Sequence, residues 1–140
     1  MFASSLDTSR LAIIGPGRLG TAFAYKFGRD NKRVAIYYHD AEVCKAINRD
    51  HLNPLHLTED LAKRTGGMEN VPRLPQKVYA TNDLEHIVEN NDFIILAITM
   101  NRLPELLNYL KPMIDRKAGD TCLVSPIKGL ISDEISKKLI

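Results

Sequence analysis

Leu11-Ala12-Ile13-Ile14-Gly15-Pro16-Gly17-Arg18-Leu19-Gly20 is the stretch that decides the fold. A short apolar run feeds straight into a G-x-G-x-x-G turn. Thr21-Ala22-Phe23-Ala24-Tyr25-Lys26-Phe27 follows and reads as a helix. In a strand–turn–helix unit each glycine has its own task. Gly15 permits the tight turn, Gly17 leaves the backbone bare for a pyrophosphate, and Gly20 lets the helix pack closely on the strand. The helix N-terminus then turns unpaired N–H groups and a partial positive charge toward the phosphates. The motif predicts a dinucleotide site. The alternative is a glycine-rich strand-to-helix turn in an α/β domain that holds no ligand.

The chain has 140 residues, which bounds it to one domain with room for a real core. A 44% apolar and 26% charged composition is that of a globular domain. A net charge of +2 is too small to make nucleic acid or an anionic membrane the main partner. Lys26, Arg29, Lys32 and Arg33 gather where the first helix ends, and there they suit its dipole as a solvated face. Cys44 and Cys122 lack metal-ligand spacing and read as small core residues, with no disulfide expected. His51 and His56 have no third ligand at sensible spacing, so no metal is expected. Met1–Asp7 lacks a basic segment and a long apolar core, and no apolar run approaches a membrane span. The expectation is a cytoplasmic protein with a loose tail over residues 1–10.

The rest of the chain alternates strand and helix. Strands are predicted at Leu11–Ile14, Val34–Tyr38, Val78–Thr81, Phe93–Ile98 and Thr121–Ser125. The first helix carries Leu19, Phe23 and Phe27 on one apolar face and ends at Gly28. The second turns Val43, Ala46 and Ile47 inward. Thr58 caps a short helix over Glu59–Arg64, in an irregular stretch that runs from Asn53 to Pro75. Asn82 reads as an N-cap with Glu85 at N3 of a further helix. Leu103, Leu106, Leu107 and Leu110 repeat at helical spacing as core, and Ser132 opens a last helix. Short connections between alternating elements mean a Rossmann-type, doubly wound parallel sheet with helices on both faces. The apolar run at Phe93 belongs in its middle.

Two further places stand at C-terminal strand ends, where such sheets bind ligands. His39-Asp40 follows the second strand about 20 residues after Gly20, where a dinucleotide fold reads the ribose. Asp40 serves either that role or the N-cap of the second helix. His39 can accommodate a 2′-phosphate that a lone acid would repel, so the pair leaves NAD and NADP both open. Thr99-Met100-Asn101 follows the fourth strand, and Lys128 follows the fifth. A cation at Lys128 can polarise a carbonyl or hold an anionic substrate; otherwise it is a surface lysine in a turn.

Four features in order carry a family resemblance. They are Gly15-Pro16-Gly17-Arg18-Leu19-Gly20-Thr21-Ala22; Tyr38-His39-Asp40-Ala41-Glu42; Leu74-Pro75 followed by Ala80-Thr81-Asn82-Asp83-Leu84; and Ile127-Lys128-Gly129-Leu130. From Leu11 onward the chain resembles the N-terminal domain of NAD(P)-dependent glycerol-3-phosphate dehydrogenases. The resemblance implies that residues 11–140 are an incomplete NAD(P)-binding domain, truncated after the fifth strand, with the helical substrate domain absent. It implies that the backbone at Arg18 and Leu19 touches the cofactor pyrophosphate, with Gly15, Gly17 and Gly20 shaping the turn. It places His39 beside the adenosine ribose, Thr99 toward the nicotinamide, and Lys128 near both nicotinamide and substrate. The implied reaction interconverts sn-glycerol 3-phosphate and dihydroxyacetone phosphate; the alternative is a non-catalytic dinucleotide-binding module. The sequence departs from the family at Ile98-Thr99-Met100, where a Val-Pro-Ser-like turn is usual. It also departs in a longer stretch between Asn53 and Leu74. A sheet ending at its fifth strand is expected to expose an edge or apolar face and so to favour a homo-oligomer.

Overall fold

Apolar side chains that alternate between two faces set the architecture. The computed structural model describes residues 9–30, 32–56 and 59–126. β1 (Leu11–Ile14), β2 (Val34–Tyr37), β3 (Val78–Thr81), β4 (Phe93–Leu96) and β5 (Cys122–Val124) form one sheet in the order β3-β2-β1-β4-β5. Every pairing is parallel. Five helices accompany them among the described residues: α1 (Arg18–Arg29), α2 (Ala41–Asp50), α3 (Glu59–Thr65), α4 (Leu84–Asn90) and α5 (Leu103–Arg116). The doubly wound parallel sheet expected from the alternation is the one observed.

β1 to β4 divide their residues between two cores. Leu11, Ile13, Val34, Ile36, Val78 and Ala80 pack with Ala24 of α1 and with Cys44 and Ile47 of α2. Ala12, Ile14, Ala35, Ile94 and Leu96 pack on the other face with Ile87 and Val88 of α4 and Leu103 and Leu110 of α5. β1 is buried at all four positions, as a central parallel strand must be.

Several expected details differ. α1 seats itself on the sheet through Gly20, Ala24 and Gly28, all buried, while Phe23 and Phe27 flank that seat and Leu19 is 46% exposed. Small residues at i, i+4 and i+8 allow the closest approach, and Leu19 lies one helical step away from their stripe. The N-cap of α4 is Asp83, not Asn82, with its Oδ1 accepting from the His86 N–H at 3.1 Å. The Asp83 N–H in turn donates to Thr81 Oγ1, and the one-residue shift is the register that sends Ile87 and Val88 inward. β4 ends at Leu96, two residues early, because Ala97 and Ile98 turn out to line a cleft. Cys44 is buried as expected, but Cys122 on β5 is half-buried; both thiols are free. The Thr58 cap, Lys128 and the helix from Ser132 lie outside the described residues. The basic cluster is a surface one: Lys26 pairs with Asp30, Arg29 lies over Tyr25 and Arg33 over Tyr79.

The end of the sheet away from the strand C-termini is held by a buried ion pair. Lys117 Nζ donates to the Asn91 carbonyl at 2.6 Å, to Thr121 Oγ1 at 3.1 Å and to Asp92 Oδ1 at 3.3 Å, tying α5 to β4 and β5. Among the described residues the two outer strands are unlike. On β3 the Ala80 N–H donates to Asn48 Oδ1 at 2.7 Å, and Asn48 Nδ2 donates to the Ala80 carbonyl at 2.9 Å. On β5, Leu123 and Val124 are 36% and 41% exposed. Asn48→Ala leaves both Ala80 backbone groups without a partner and lowers stability by about 1–3 kcal/mol, read as a lower urea midpoint at unchanged m-value.

Candidate functional site

The sheet order places β2 and β3 on one side of β1 and β4 and β5 on the other. At the C-terminal ends of β1 and β4 the connections run off in opposite directions and open a crevice. Gly15-Pro16-Gly17 leaves β1 there. Gly15 has φ +111°, and its N–H donates to the Tyr37 carbonyl at 3.2 Å. A Cβ on Gly15 would run into the Ala97 carbonyl, and one on Gly20 into the Gly15 carbonyl oxygen. A Cβ on Gly17 would meet nothing within 4 Å, so that position faces open space.

Gly17 is also the N-cap of α1. No side chain caps this helix end and no acidic residue stands in its first turn. The first N–H groups of a helix have no intrahelical partner, so the turn presents them, with the positive end of the helix dipole, to whatever enters.

What opens beside the turn is a cleft of about 530 Å³. Gly15, Pro16 and Gly17 form one wall. Tyr37, Tyr38 and His39 come from the end of β2, with the Tyr38 and His39 ring centroids 4.3 Å apart and their planes tilted by 50°. Ala97, Ile98 and Thr99 follow β4. Arg102, Glu105, Leu106 and Tyr109 complete the wall from the start of α5 and the turn before it.

The structure thus brings Gly15, Gly17, His39 and Thr99 together around one space. Gly20 is buried directly behind the turn. Arg18 and Leu19 are exposed on the first turn of α1. Of the two roles open to Asp40, capping is realised: Oδ1 accepts from the Glu42 and Val43 N–H groups at 2.9 and 3.4 Å. Lys128 lies outside the described residues. Among the described residues no cluster of three or more His, Cys, Asp or Glu could hold a metal, and no helix is long and apolar enough to cross a membrane.

Sequence reasoning missed four residues of the site. Arg102, Glu105 and Tyr109 recur at i, i+3 and i+7, a second face beside the leucine face of α5, and that spacing was the available signal. Asn53 was legible only as a turn former. In the structure it is buried at 6% exposure and bonds the glycine turn itself.

Burial pushes the Cys44 thiol above its ordinary 9.0, with a smaller raise from Asp40, and its Sγ donates to the Tyr38 carbonyl at 3.4 Å. Burial, then Cys44, raises the Tyr37 phenol above 10.0. Both groups are neutral at pH 7. The stability that follows from a neutral Cys44 is complete below pH 9 and is lost as the pH climbs through the raised folded value. In the folded chain at pH 8, maleimide labels the half-buried Cys122 well before Cys44, and mass mapping of the labelled peptides reads the order.

Comparison with known proteins bears on this arrangement. The family described as NAD-dependent glycerol-3-phosphate dehydrogenase N-terminus matches residues 10–140. A glycerol-3-phosphate dehydrogenase [NAD(P)+] of Treponema denticola is 34% identical over 130 residues, covering 89% of this chain and 33% of the relative. One from Halorhodospira halophila is 31% identical over 125 residues, covering 89% and 32%. The crystal structure of glycerol-3-phosphate dehydrogenase from Coxiella burnetii superposes with a TM-score of 0.69 at 20% identity, covering 87% of this chain and 33% of that one. That last likeness shows the fold. The chain spans about a third of the length of the relatives it matches.

Proposed function

This chain belongs to the NAD-dependent glycerol-3-phosphate dehydrogenase family, as its N-terminal domain, and from that premise we propose that the cleft between β1 and β4 binds NAD or NADP. The observation that carries the reading is the bare, uncapped N-terminus of α1 at Gly17, open onto a cleft at the point where the sheet changes direction. In this reading the pyrophosphate lies over Gly15–Gly20, with Arg18 and Leu19 contributing backbone and Gly20 keeping the helix close. The adenosine runs along Tyr38 and His39. The nicotinamide end faces Thr99 and the α5 wall.

The residues present fit such a ligand. It is anionic at its centre and flat at both ends. The site supplies unpaired N–H groups at its centre and aromatic or apolar surface to either side. Bound there, the cofactor supplies the hydride acceptor or donor for interconverting sn-glycerol 3-phosphate and dihydroxyacetone phosphate. The chain's own part is to orient it. Asp40 caps α2 through Oδ1, leaving Oδ2 for a ribose hydroxyl, while His39 accommodates a 2′-phosphate. Lys128, from the family resemblance, stands near nicotinamide and substrate. Residues 11–140 are then the cofactor half of the enzyme, and the small phosphorylated substrate is gripped by the part of the family this chain does not span.

Arg102 adds a cation to the cleft. Its guanidinium makes no hydrogen bond or ion pair with the described residues, and it lines the same wall as Thr99. A fluorescence titration with NADH and, separately, NADPH tests the reading. Saturable binding that weakens in His39→Ala is the expected result, and the ratio of the two affinities reports the preference. A folded chain that binds neither overturns it. Arg102→Ala weakens both ligands by roughly tenfold and flattens the dependence of affinity on salt.

A further inference from the structure

We infer that Asn53 is a positioning residue for the phosphate-binding turn, holding the Pro16–Gly17 peptide so that its N–H faces the ligand. The inference rests on the dinucleotide reading of the cleft and adds a residue that does not line it.

Asn53 lies in the excursion between α2 and β3, far along the chain from the turn, and its side chain is buried. Nδ2 donates to the Pro16 carbonyl at 2.7 Å and to Thr21 Oγ1 at 2.9 Å. Thr21 Oγ1 donates to the same Pro16 carbonyl at 3.2 Å. Asn53 Oδ1 accepts from the Leu55 N–H at 3.0 Å, and the Asn53 carbonyl accepts from the His56 N–H at 3.1 Å. The carboxamide is therefore locked by its own turn before it reaches the glycine loop.

Pro16 sits between two glycines, the residues that restrain a peptide plane least. The peptide from Pro16 to Gly17 is trans, so its C=O and N–H point in opposite directions. Fixing the carbonyl on Asn53 and Thr21 fixes the Gly17 N–H on the other side, away from the protein body. Few side chains can do this from one buried position. The task needs two donors on one nitrogen and an acceptor beside it. Aspartate has no donor, serine has one, and glutamine carries the same groups one methylene further out.

A residue that merely plugs the 51–56 turn would affect stability and every ligand alike. A positioning residue affects ligands according to whether they carry a pyrophosphate. The test uses the full chain with two neutral variants, Asn53→Ala and Thr21→Val, each confirmed folded by circular dichroism. Affinities are measured for NADH, for ADP and for adenosine, the last by ligand-observed NMR. Asn53→Ala is expected to lose tenfold or more for NADH and ADP and less than twofold for adenosine. Thr21→Val shows the same pattern at smaller size and carries the test should Asn53→Ala not fold. Unchanged NADH affinity, or equal loss for all three ligands, overturns the inference while leaving the dinucleotide reading intact. A wild-type chain that binds neither NADH nor NADPH overturns both.

Discussion

The space between α1 and the sheet has no room for a methyl group at two points, and the site is built on that fact. Gly20 abuts the carbonyl of Gly15, and Gly15 abuts the carbonyl of Ala97. Two backbones that approach this closely fix the start of α1 relative to the ends of both β1 and β4. Ala24 and Gly28 extend the same small stripe along the helix, and Gly28 meets Val78 and Pro75 at its far end. The helix therefore lies flat across the sheet, and its unpaired N–H groups come to rest where the two halves of the sheet part company.

Strands and cleft divide the work between them. Within the strands the side chains are given over mainly to the two cores, and the cleft is lined chiefly by residues just beyond strand ends: Gly15–Gly17, Tyr38–His39 and Ala97–Thr99. Of these, the exposed His39 and Thr99 can change without disturbing the packing that places them, whereas Gly15 has no room for a side chain. At the opposite end of the sheet the buried Lys117–Asp92 pair ties the end of α5 to the start of β4.

The backbone plan was legible because it depends on short-range physics. Apolar runs, a glycine turn and alternating periods specify strands and helices locally, and the handedness of crossovers does the rest. Gly15, Gly17, His39 and Thr99 were legible for the same reason, as residues at the C-terminal ends of strands. What stayed hidden depends on partners distant in sequence. Leu19 looks like helix core until Gly20 shows that the closer approach wins. Asn82 and Asp83 are both good caps, and only the inward register of Ile87 and Val88 chooses between them. Asn53 carries no mark of its bond to Pro16, since the excursion that delivers it has no period to read.

The asparagine that bonds β3 from outside the sheet has a consequence for that edge. An edge strand is a template for further pairing. A strand that added to β3 would have to pair with the outward N–H and C=O groups of that strand. Asn48 occupies the outward backbone groups of Ala80 and removes that acceptor surface. One asparagine on α2 thus caps the β3 edge at Ala80 against the addition of a further strand.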